Sequence, residues 1–390
     1  MQYLVAKQIA DKFKQELGFV NRTSLKVQED KEELIVLDDI GFISFHLRRD
    51  NRATIYNLAV NKDYQKQGYG RLLIYKLICL CIENNKRYIQ CKCPEDLVAN
   101  SFYEHLEFKL IDVEQGKKRK LNVWRYEIKL PLLFYCADGG RNKFSSIAKQ
   151  LNYQLGFKSN ESNPNNSVAF IDNDWKKYNH NKHLETIKKY KPMLATIKDL
   201  ETVEDYQYIK DNIAEFSKYC GRLLIIPKLE IDLDITEDFW IAFSVPSRYG
   251  KTTVSNEYFK QLNKPIHLLG GSPKKQYKYA NELNNVVSLD GNYMMLSSKY
   301  GSICSVDKSE YKDNLGMYNS FEQSLINIKQ FYDNSLDLKY KGGRPKAVNS
   351  RSYTVSFKCT KNVHDYLNSL DNKSNYINNI VEELLLTVKT

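Results

Sequence analysis

Between Ile55 and Phe108 the chain reads IYNLAVNKDYQKQGYGRLLIYKLICLCIENNKRYIQCKCPEDLVANSFYEHLEF, and no other stretch limits the possible folds as strongly. The apolar run Ile55 to Val60 predicts a buried strand. Gln65, Gly68 and Gly70 follow as Q-x-x-G-x-G, and Leu72, Leu73, Leu77, Ile78 and Leu80 then mark a helix. A strand, a glycine loop and a helix start, in that order, make an anion site. Glycines let the backbone approach a ligand, first-turn N–H groups lack intrahelical partners, and the helix dipole favours negative charge. A second strand, Tyr88 to Cys93, and a short helix around Asn100 to Leu106 complete the unit. The dinucleotide pattern G-x-G-x-x-G fails, because Leu73 stands at its third glycine.

This ordered set resembles the GNAT superfamily of acetyl-CoA-dependent N-acyltransferases, whose pyrophosphate loop is R/Q-x-x-G-x-G/A directly after a strand ending in a Val-like residue. Here Val60 ends the strand, and Gln65, Lys66, Gln67, Gly68, Tyr69, Gly70 and Arg71 carry the loop into the helix. Asn100, Tyr103 and Phe108 match the family's later Asn/Tyr segment, with Glu107 where glycine is usual. The resemblance implies that acetyl-CoA is the cofactor and that backbone N–H groups from Lys66 to Arg71 hold its pyrophosphate, with Asn100 among the cofactor-binding residues. It also implies that Tyr103 protonates the leaving thiolate. The general base is unassigned: a solvent-linked Glu or a water.

At 390 residues the chain has room for two or three domains, and its net charge of +11 suits nucleic acid, an anionic membrane surface or an acidic cofactor. None of the eight cysteines falls in C-x-x-C and no His pair completes a zinc set, so they read as reduced packing thiols with no metal. The start MQYLVAKQIADKFK lacks a signal-peptide pattern, and the longest apolar stretch, Leu72 to Ile82, contains Lys76 and is too short to span a bilayer. The expectation is a cytoplasmic protein with no membrane association.

The first 50 residues read as a helix from Ala6 to Leu17, then strands Glu33 to Leu37 and Phe42 to Leu47. The sheet continues in Asn122 to Leu130, and Pro131 closes an α+β domain over residues 1–131. Beyond it, apolar runs alternate with helical stretches. The runs are Leu132 to Ala137, Val168 to Ile171, Met193 to Ile197, Leu223 to Pro227, Ile241 to Val245, Ile266 to Leu269 and Val286 to Leu289. The helices include Leu184 to Tyr190, Val203 to Tyr219 and Lys274 to Leu283. Such alternation predicts a parallel sheet, and this many units a (β/α)8-like barrel over residues 132–335; a doubly wound sheet is the competing fold.

The ends of these strands are polar and glycine-rich, among them Asp138-Gly139-Gly140, Asp172-Asn173-Asp174, Lys198-Asp199, Gly270-Gly271-Ser272 and Asp290-Gly291-Asn292. In a parallel barrel they meet on one face, where active sites sit. Gly250-Lys251-Thr252 is not a P-loop, since Val245 stands at its first glycine. The segments FYCADGG, FIDND, SVPSRYG, HLLGGSP and SLDGN resemble barrels of the tRNA-guanine transglycosylase superfamily, which includes relatives exchanging guanine for a deazaguanine in DNA. The zinc-binding C-x-C-x-x-C…H of tRNA-acting members is absent, which argues against a standard tRNA enzyme and is tolerable for a DNA-acting relative. The resemblance implies one Asp as nucleophile at the sugar C1′ and another acid for proton transfer. Asp138, Asp172 and Asp290 are the candidates, their roles open.

Residues 336–350 read as a basic linker, and from Lys341 to Lys361 there is no acid. Tyr353, Val355, Phe357 and Cys359 then alternate with Ser352, Thr354, Ser356 and Lys358. Thr360 and Ser374 can cap two helices, Asn362 to Leu370 and Tyr376 to Leu386. Residues 351–390 thus resemble a small ribbon-helix-helix domain. One strand is unstable alone, so such a domain is an obligate dimer. Its polar face, Thr354, Ser356 and Lys358, would read base edges in DNA, and the helix start at Ser374 and Asn375 would take a phosphate.

The whole reads as an α/β multidomain enzyme: an N-acetyltransferase joined to a transglycosylase-like barrel and a dimeric DNA anchor. The expected function is DNA base hypermodification, with the barrel installing or recognising a modified purine and the transferase acylating an amine on it. That architecture suits a phage, acting in the host cytoplasm. One alternative is a toxin-like acetyltransferase of aminoacyl-tRNA or protein, autoregulated by its fused ribbon-helix-helix domain. Another is a non-enzymatic DNA-binding regulator.

Overall fold

The computed structural model describes residues 1–117, 119–137, 143–159, 168–247, 252–312 and 314–334. The N-terminal part runs α1 (Gln2–Asp11), α2 (Lys14–Leu17), α3 (Arg22–Asp30), β1 (Leu34–Leu37), β2 (Gly41–Leu47), β3 (Arg52–Val60), α4 (Tyr69–Glu83), β4 (Tyr88–Pro94), α5 (Ala99–His105), β5 (Lys109–Gln115) and β6 (Lys120–Glu127). The sheet has the order β1-β2-β3-β4-β6-β5, and only β3 and β4 pair in parallel. Their pairing stops at Ile55 opposite Cys91, whereas β3 continues to Val60 and β4 to Pro94. The two strands therefore part at their C-terminal ends, just before the glycine loop. Between Ser44–Asn57 and Phe45–Ile55 the β2–β3 register shifts, leaving Tyr56 as the extra residue of a bulge.

The expected Ala6–Leu17 helix is two helices. Lys12 closes α1 and Phe13 turns back into the core before α2 begins. Helix α3 and strand β5 have no counterpart in the sequence reading. Only Leu25 and Gln28 of α3 are buried, so it carries no apolar stripe. Strand β5 is an edge strand with almost every residue exposed, so its alternation has no buried side to report.

The second part holds β7 (Leu132–Ala137), α6 (Lys143–Gln150), β8 (Gln154–Lys158), β9 (Phe170–Asp172), α7 (His180–Tyr190), β10 (Leu194–Thr196), α8 (Val203–Ser217), β11 (Arg222–Ile225), β12 (Phe239–Ser244), α9 (Asn256–Gln261), β13 (Ile266–Leu269), α10 (Pro273–Leu283) and β14 (Val286–Gly291). The eight strands close into a barrel, β14 pairing with β7 and every neighbour parallel. Closure excludes the doubly wound sheet. Strand β8 escapes a search for apolar runs because Gly156 sits at its centre, where any Cβ would strike Cys136 Sγ and Phe170. Residues 226–238 join β11 to β12 without a helix. Then α11 (Tyr293–Ser298), the antiparallel pair β15 (Ser302–Cys304) and β16 (Ser309–Tyr311), and α12 (Gly316–Asn334) complete this part. The expected linker and ribbon-helix-helix segment, residues 336–390, lie outside the described residues.

Helix α4 is apolar nearly all round because it is covered twice. Leu77, Ile78, Cys79, Cys81 and Ile82 belong to one buried cluster with Ile43, Phe45 and Ile89 of the N-terminal sheet and the barrel's Phe134, Phe170, Leu194, Leu224 and Trp240. At the start of the barrel strands, Gly221 comes so close to the Met193 carbonyl and to Cys79 Sγ that no side chain fits there. Among the described residues no helix is long and apolar enough to cross a membrane.

Candidate functional site

The glycine loop is built from backbone. Gln65 Nε2 donates to the Val60 carbonyl at 3.0 Å and Gln67 Nε2 to that of Asp63 at 2.8 Å, which pins both ends of the turn. Lys66 (φ 61°) and Gly68 (φ 88°) are left-handed, a conformation that glycine adopts without strain. Gly68 is the N-cap of α4 and supplies no side-chain cap; the first helical bond runs from Leu72 N–H to the Gly68 carbonyl. Among the described residues, the N–H groups from Lys66 to Arg71 have no backbone acceptor. They come directly after the opening where β3 and β4 part, at the positive end of a 15-residue helix. Gly70 packs under Phe102, whose ring a Cβ would meet at 3.0 Å.

Tyr103 lies beneath that opening. It is buried against Phe102 and Phe108, with Cys91 of β4 beside its hydroxyl. Burial first, and then the neighbouring Cys91 and Cys93, push its pKa well above the ordinary tyrosine value, so it keeps its proton. Asn100 is used within the protein. Its amide donates to the Pro94, Glu95 and Leu97 carbonyls, and its oxygen accepts from Trp124 Nε1 at 2.8 Å and Asn122 Nδ2 at 3.0 Å. It clamps α5 to β4 and β6 and has no donor or acceptor left for a cofactor.

On the opposite face of the sheet, His46 Nδ1 donates to the Glu33 carboxylate at 2.8 and 2.9 Å. Glu33 is buried and also accepts from Leu47 N–H at 2.9 Å. This arrangement leaves His46 Nε2 as the free lone pair. The imidazole stacks on Tyr56, the bulged residue, in a cleft of about 390 Å³ also lined by Gln28, whose buried Oε1 has no partner. A larger cleft, about 590 Å³, lies between Tyr88 at the start of β4 and Lys329 and Asp333 of α12, at the far end of β4 from the opening.

The barrel mouth gathers charge. Thr196 Oγ1 donates to Asp172 Oδ1 at 3.1 Å and accepts from Asn173 N–H at 2.7 Å; Asn173 Nδ2 reaches Asp199 Oδ1 at 3.1 Å. Lys228 Nζ donates to Ser244 Oγ at 2.6 Å. Asp290 Oδ1 accepts from Gly270 N–H at 2.9 Å and lies 3.4 Å from His267 Nε2, while His267 Nδ1 contacts Ser288 Oγ at 2.8 Å. Gly270 (φ 64°) and Gly271 (φ 84°) form the turn that makes this possible. Desolvation, with the charges of Asp290 and Asp199 added, pushes Asp172 up to about 7. Burial likewise raises Asp199 and lowers Lys228.

Residues 6–108 match the family model "Acetyltransferase (GNAT) family". This part of the chain is a GNAT acetyltransferase domain. Residues 148–333 match a "Family of unknown function (DUF6610)". No curated protein matches the chain. Solved structures similar to the acetyltransferase domain include Ard1 of Thermoplasma volcanium, at 18% identity over 32% of this chain and 90% of that one, TM-score 0.30. The ribosomal-protein-S18-alanine N-acetyltransferase of Escherichia coli matches at 18% identity over 32% and 87%, TM-score 0.28. A protein described as a streptothricin acetyltransferase of Bacillus anthracis, in complex with acetyl coenzyme A, matches at 25% identity over 23% and 55%, TM-score 0.22.

Of the expected site residues, Val60 and the loop from Gln65 to Arg71 are joined by the Gln65 bond to the Val60 carbonyl, and Phe102 lies between Gly70 and Tyr103. The barrel couples Asp172 to Asp290, while Asp138 lies outside the described residues, as do Thr354, Ser356, Lys358, Ser374 and Asn375. Sequence reasoning missed Glu33, His46, Lys228 and His267, and named Asp199 only as a polar strand end and not as a candidate acid. A histidine inside the apolar run IHLL is the signal that could have singled out His267. Among the described residues no group of three His, Cys, Asp or Glu is placed to hold a metal.

Proposed function

We propose that the chain is an acetyl-CoA-dependent N-acetyltransferase. One observation carries this: the unpartnered N–H groups from Lys66 to Arg71 at the start of α4, beside the parted ends of β3 and β4. The fit to acetyl-CoA is chemical, since a diphosphate needs close-packed backbone donors and Gly68 puts no side chain over the turn. Bound there, the cofactor would supply the acetyl group of its thioester to an amine and leave as coenzyme A thiol. The C–N bond forms as the C–S bond breaks, and two protons must be handled. Tyr103, kept protonated by burial, holds one at Oη for the departing thiolate. His46, oriented by Glu33 in the cleft on the other face, takes the amine's proton at Nε2.

The finer reading extends to the rest of the chain. The barrel mouth is a transglycosylase-like base-exchange site in which Asp172 and Asp290 share the roles of nucleophile and proton carrier. Residues 351–390 are a ribbon-helix-helix homodimer on DNA, and the protein acts in DNA base hypermodification in the cytoplasm. The coupled carboxylates of the mouth and the acid-free basic run from Lys341 to Lys361 support it. The test is to incubate the full chain with DNA and acetyl-CoA, digest the DNA and weigh its nucleosides. A nucleoside heavier by one acetyl group is expected; unaltered nucleosides, with acetyl transfer to protein or aminoacyl-tRNA instead, would overturn the DNA reading and leave the transferase.

A further inference from the structure

The barrel's α7 ends against the glycine loop. Arg71 Nη2 donates to the Tyr190 carbonyl at 2.9 Å, and the next residue, Lys191, turns into the left-handed region at φ 47°. Its side chain is only 6% exposed and runs back over the loop. Lys191 Cδ lies 3.7 Å from where a Cβ on Gly68 would stand, and the ammonium sits 4.2 Å from the centre of the Tyr69 ring. Lys191 Nζ donates to the Lys188 carbonyl at 2.9 Å, and no ion pair joins it or Arg71 to a carboxylate among the described residues. The Arg71 Nε is buried as well, without an acceptor.

An ammonium, a guanidinium and the positive end of α4 are thus packed together without a counter-charge. Burial, and then the neighbouring Arg71, both press Lys191 towards its neutral form. Holding two cations in this way costs stability unless an anion joins them. Every one of these groups borders the turn whose N–H groups are unpartnered.

We propose that Lys191, a residue of the barrel, completes the phosphate site of the acetyltransferase domain, so that coenzyme A is held by both parts of the chain. The inference rests on the acetyl-CoA reading above and adds to it a residue from outside residues 6–108. The phosphate in contact is the pyrophosphate or the 3′-phosphate of the cofactor. The barrel would then act on the transferase directly, because any shift of α7 would move one of the cations that bind the cofactor.

Calorimetry of the full chain with acetyl-CoA tests this, comparing wild type, Lys191→Met and Lys191→Arg. The Met variant keeps the length and apolar stem, and should bind about 10- to 100-fold more weakly, the loss expected for one charge-assisted hydrogen bond. The Arg variant should recover most of that loss. The salt dependence of the Met variant should also be shallower, which a purely packing role would not produce. Should the Met variant not fold, Lys191→Gln carries the same comparison. Repeating the titrations with acetyl-dephospho-CoA, which lacks the 3′-phosphate, separates the two phosphates: a penalty that persists assigns Lys191 to the pyrophosphate, and one that vanishes assigns it to the 3′-phosphate. A wild type that binds while the Met variant binds equally well overturns this inference alone. A wild type that fails to bind overturns the acetyl-CoA reading, and this inference with it.

Discussion

Glu83, at the last position of α4, grips Arg222 at the foot of barrel strand β11 through two bonds, Nε to Oε1 at 2.6 Å and Nη2 to Oε2 at 2.8 Å. Trp240 Nε1 adds a third bond to the same carboxylate at 2.7 Å. Arg222 is buried, and the Glu83 charge holds its pKa above even the usual arginine value against the cost of burial. The fork geometry makes this the fixed point of the joint, opposite the Arg71–Tyr190 contact at the other end of α4.

Removing Arg222 leaves the largely buried Glu83 carboxylate with Trp240 Nε1 alone in place of its guanidinium. Arg222→Ala should therefore destabilise the protein by about 3–5 kcal/mol, read as a drop in melting temperature or in the urea midpoint. Glu83→Gln, which keeps the shape and loses the charge, should cost less. A change under about 0.5 kcal/mol for Arg222→Ala would mean that the joint is held by apolar packing alone.

Tyr103→Phe should fold and bind acetyl-CoA normally but release coenzyme A thiol about 10²–10⁴-fold more slowly with the accepted amine, the usual cost of losing a general acid. His46→Gln should show a loss of the same order, and Glu33→Gln a smaller one. Unchanged turnover in the Tyr103 variant would leave its hydroxyl as packing for Cys91.

Asp172 gives a pH signature. Its folded pKa, about 7, is above its unfolded value near 3.8, so the folded state holds the proton more tightly. Its contribution is complete below about pH 4, declines as pH rises to about 7, and is flat beyond. Asp172→Asn should remove that slope and stabilise the protein at pH 8 by on the order of 4 kcal/mol. Urea midpoints from pH 4 to pH 8 decide it, and parallel curves for the two proteins would show that Asp172 ionises as freely as in water.

Much of the acetyltransferase domain is legible in the sequence because its signals are local. Gln65, Gly68 and Gly70 fix a turn within six residues, and α4 follows directly. The barrel is legible as alternation, except for β8, where Gly156 interrupts the apolar run. What stays hidden depends on distant residues. Glu83 and Arg222 are 139 positions apart, and neither stands in a motif. His46 and Glu33 meet only because β1 and β2 fold back on each other. Asn100 matches a family pattern, yet its role is set by Trp124 and Asn122, which sequence spacing does not bring near it.

For the C-terminal segment, Lys358→Ala in the full chain should weaken binding to duplex DNA. A base contact should cost about 1–3 kcal/mol and relax sequence preference, whereas a phosphate contact should weaken all sequences alike and lower the salt slope by about one unit. Gel-shift titrations over salt distinguish these. Wild-type affinity for DNA that does not respond to salt would remove DNA from the account.

The central claim is that the Gln65–Gly70 turn holds acetyl-CoA. Gly68→Glu places a side chain and a negative charge where the diphosphate should lie, at a position whose φ of 88° already disfavours any side chain. In calorimetry with acetyl-CoA the wild-type full chain should give a saturable one-site isotherm, and the Gly68→Glu protein, folded by circular dichroism, should give none. Equal affinity in the two proteins would contradict the claim.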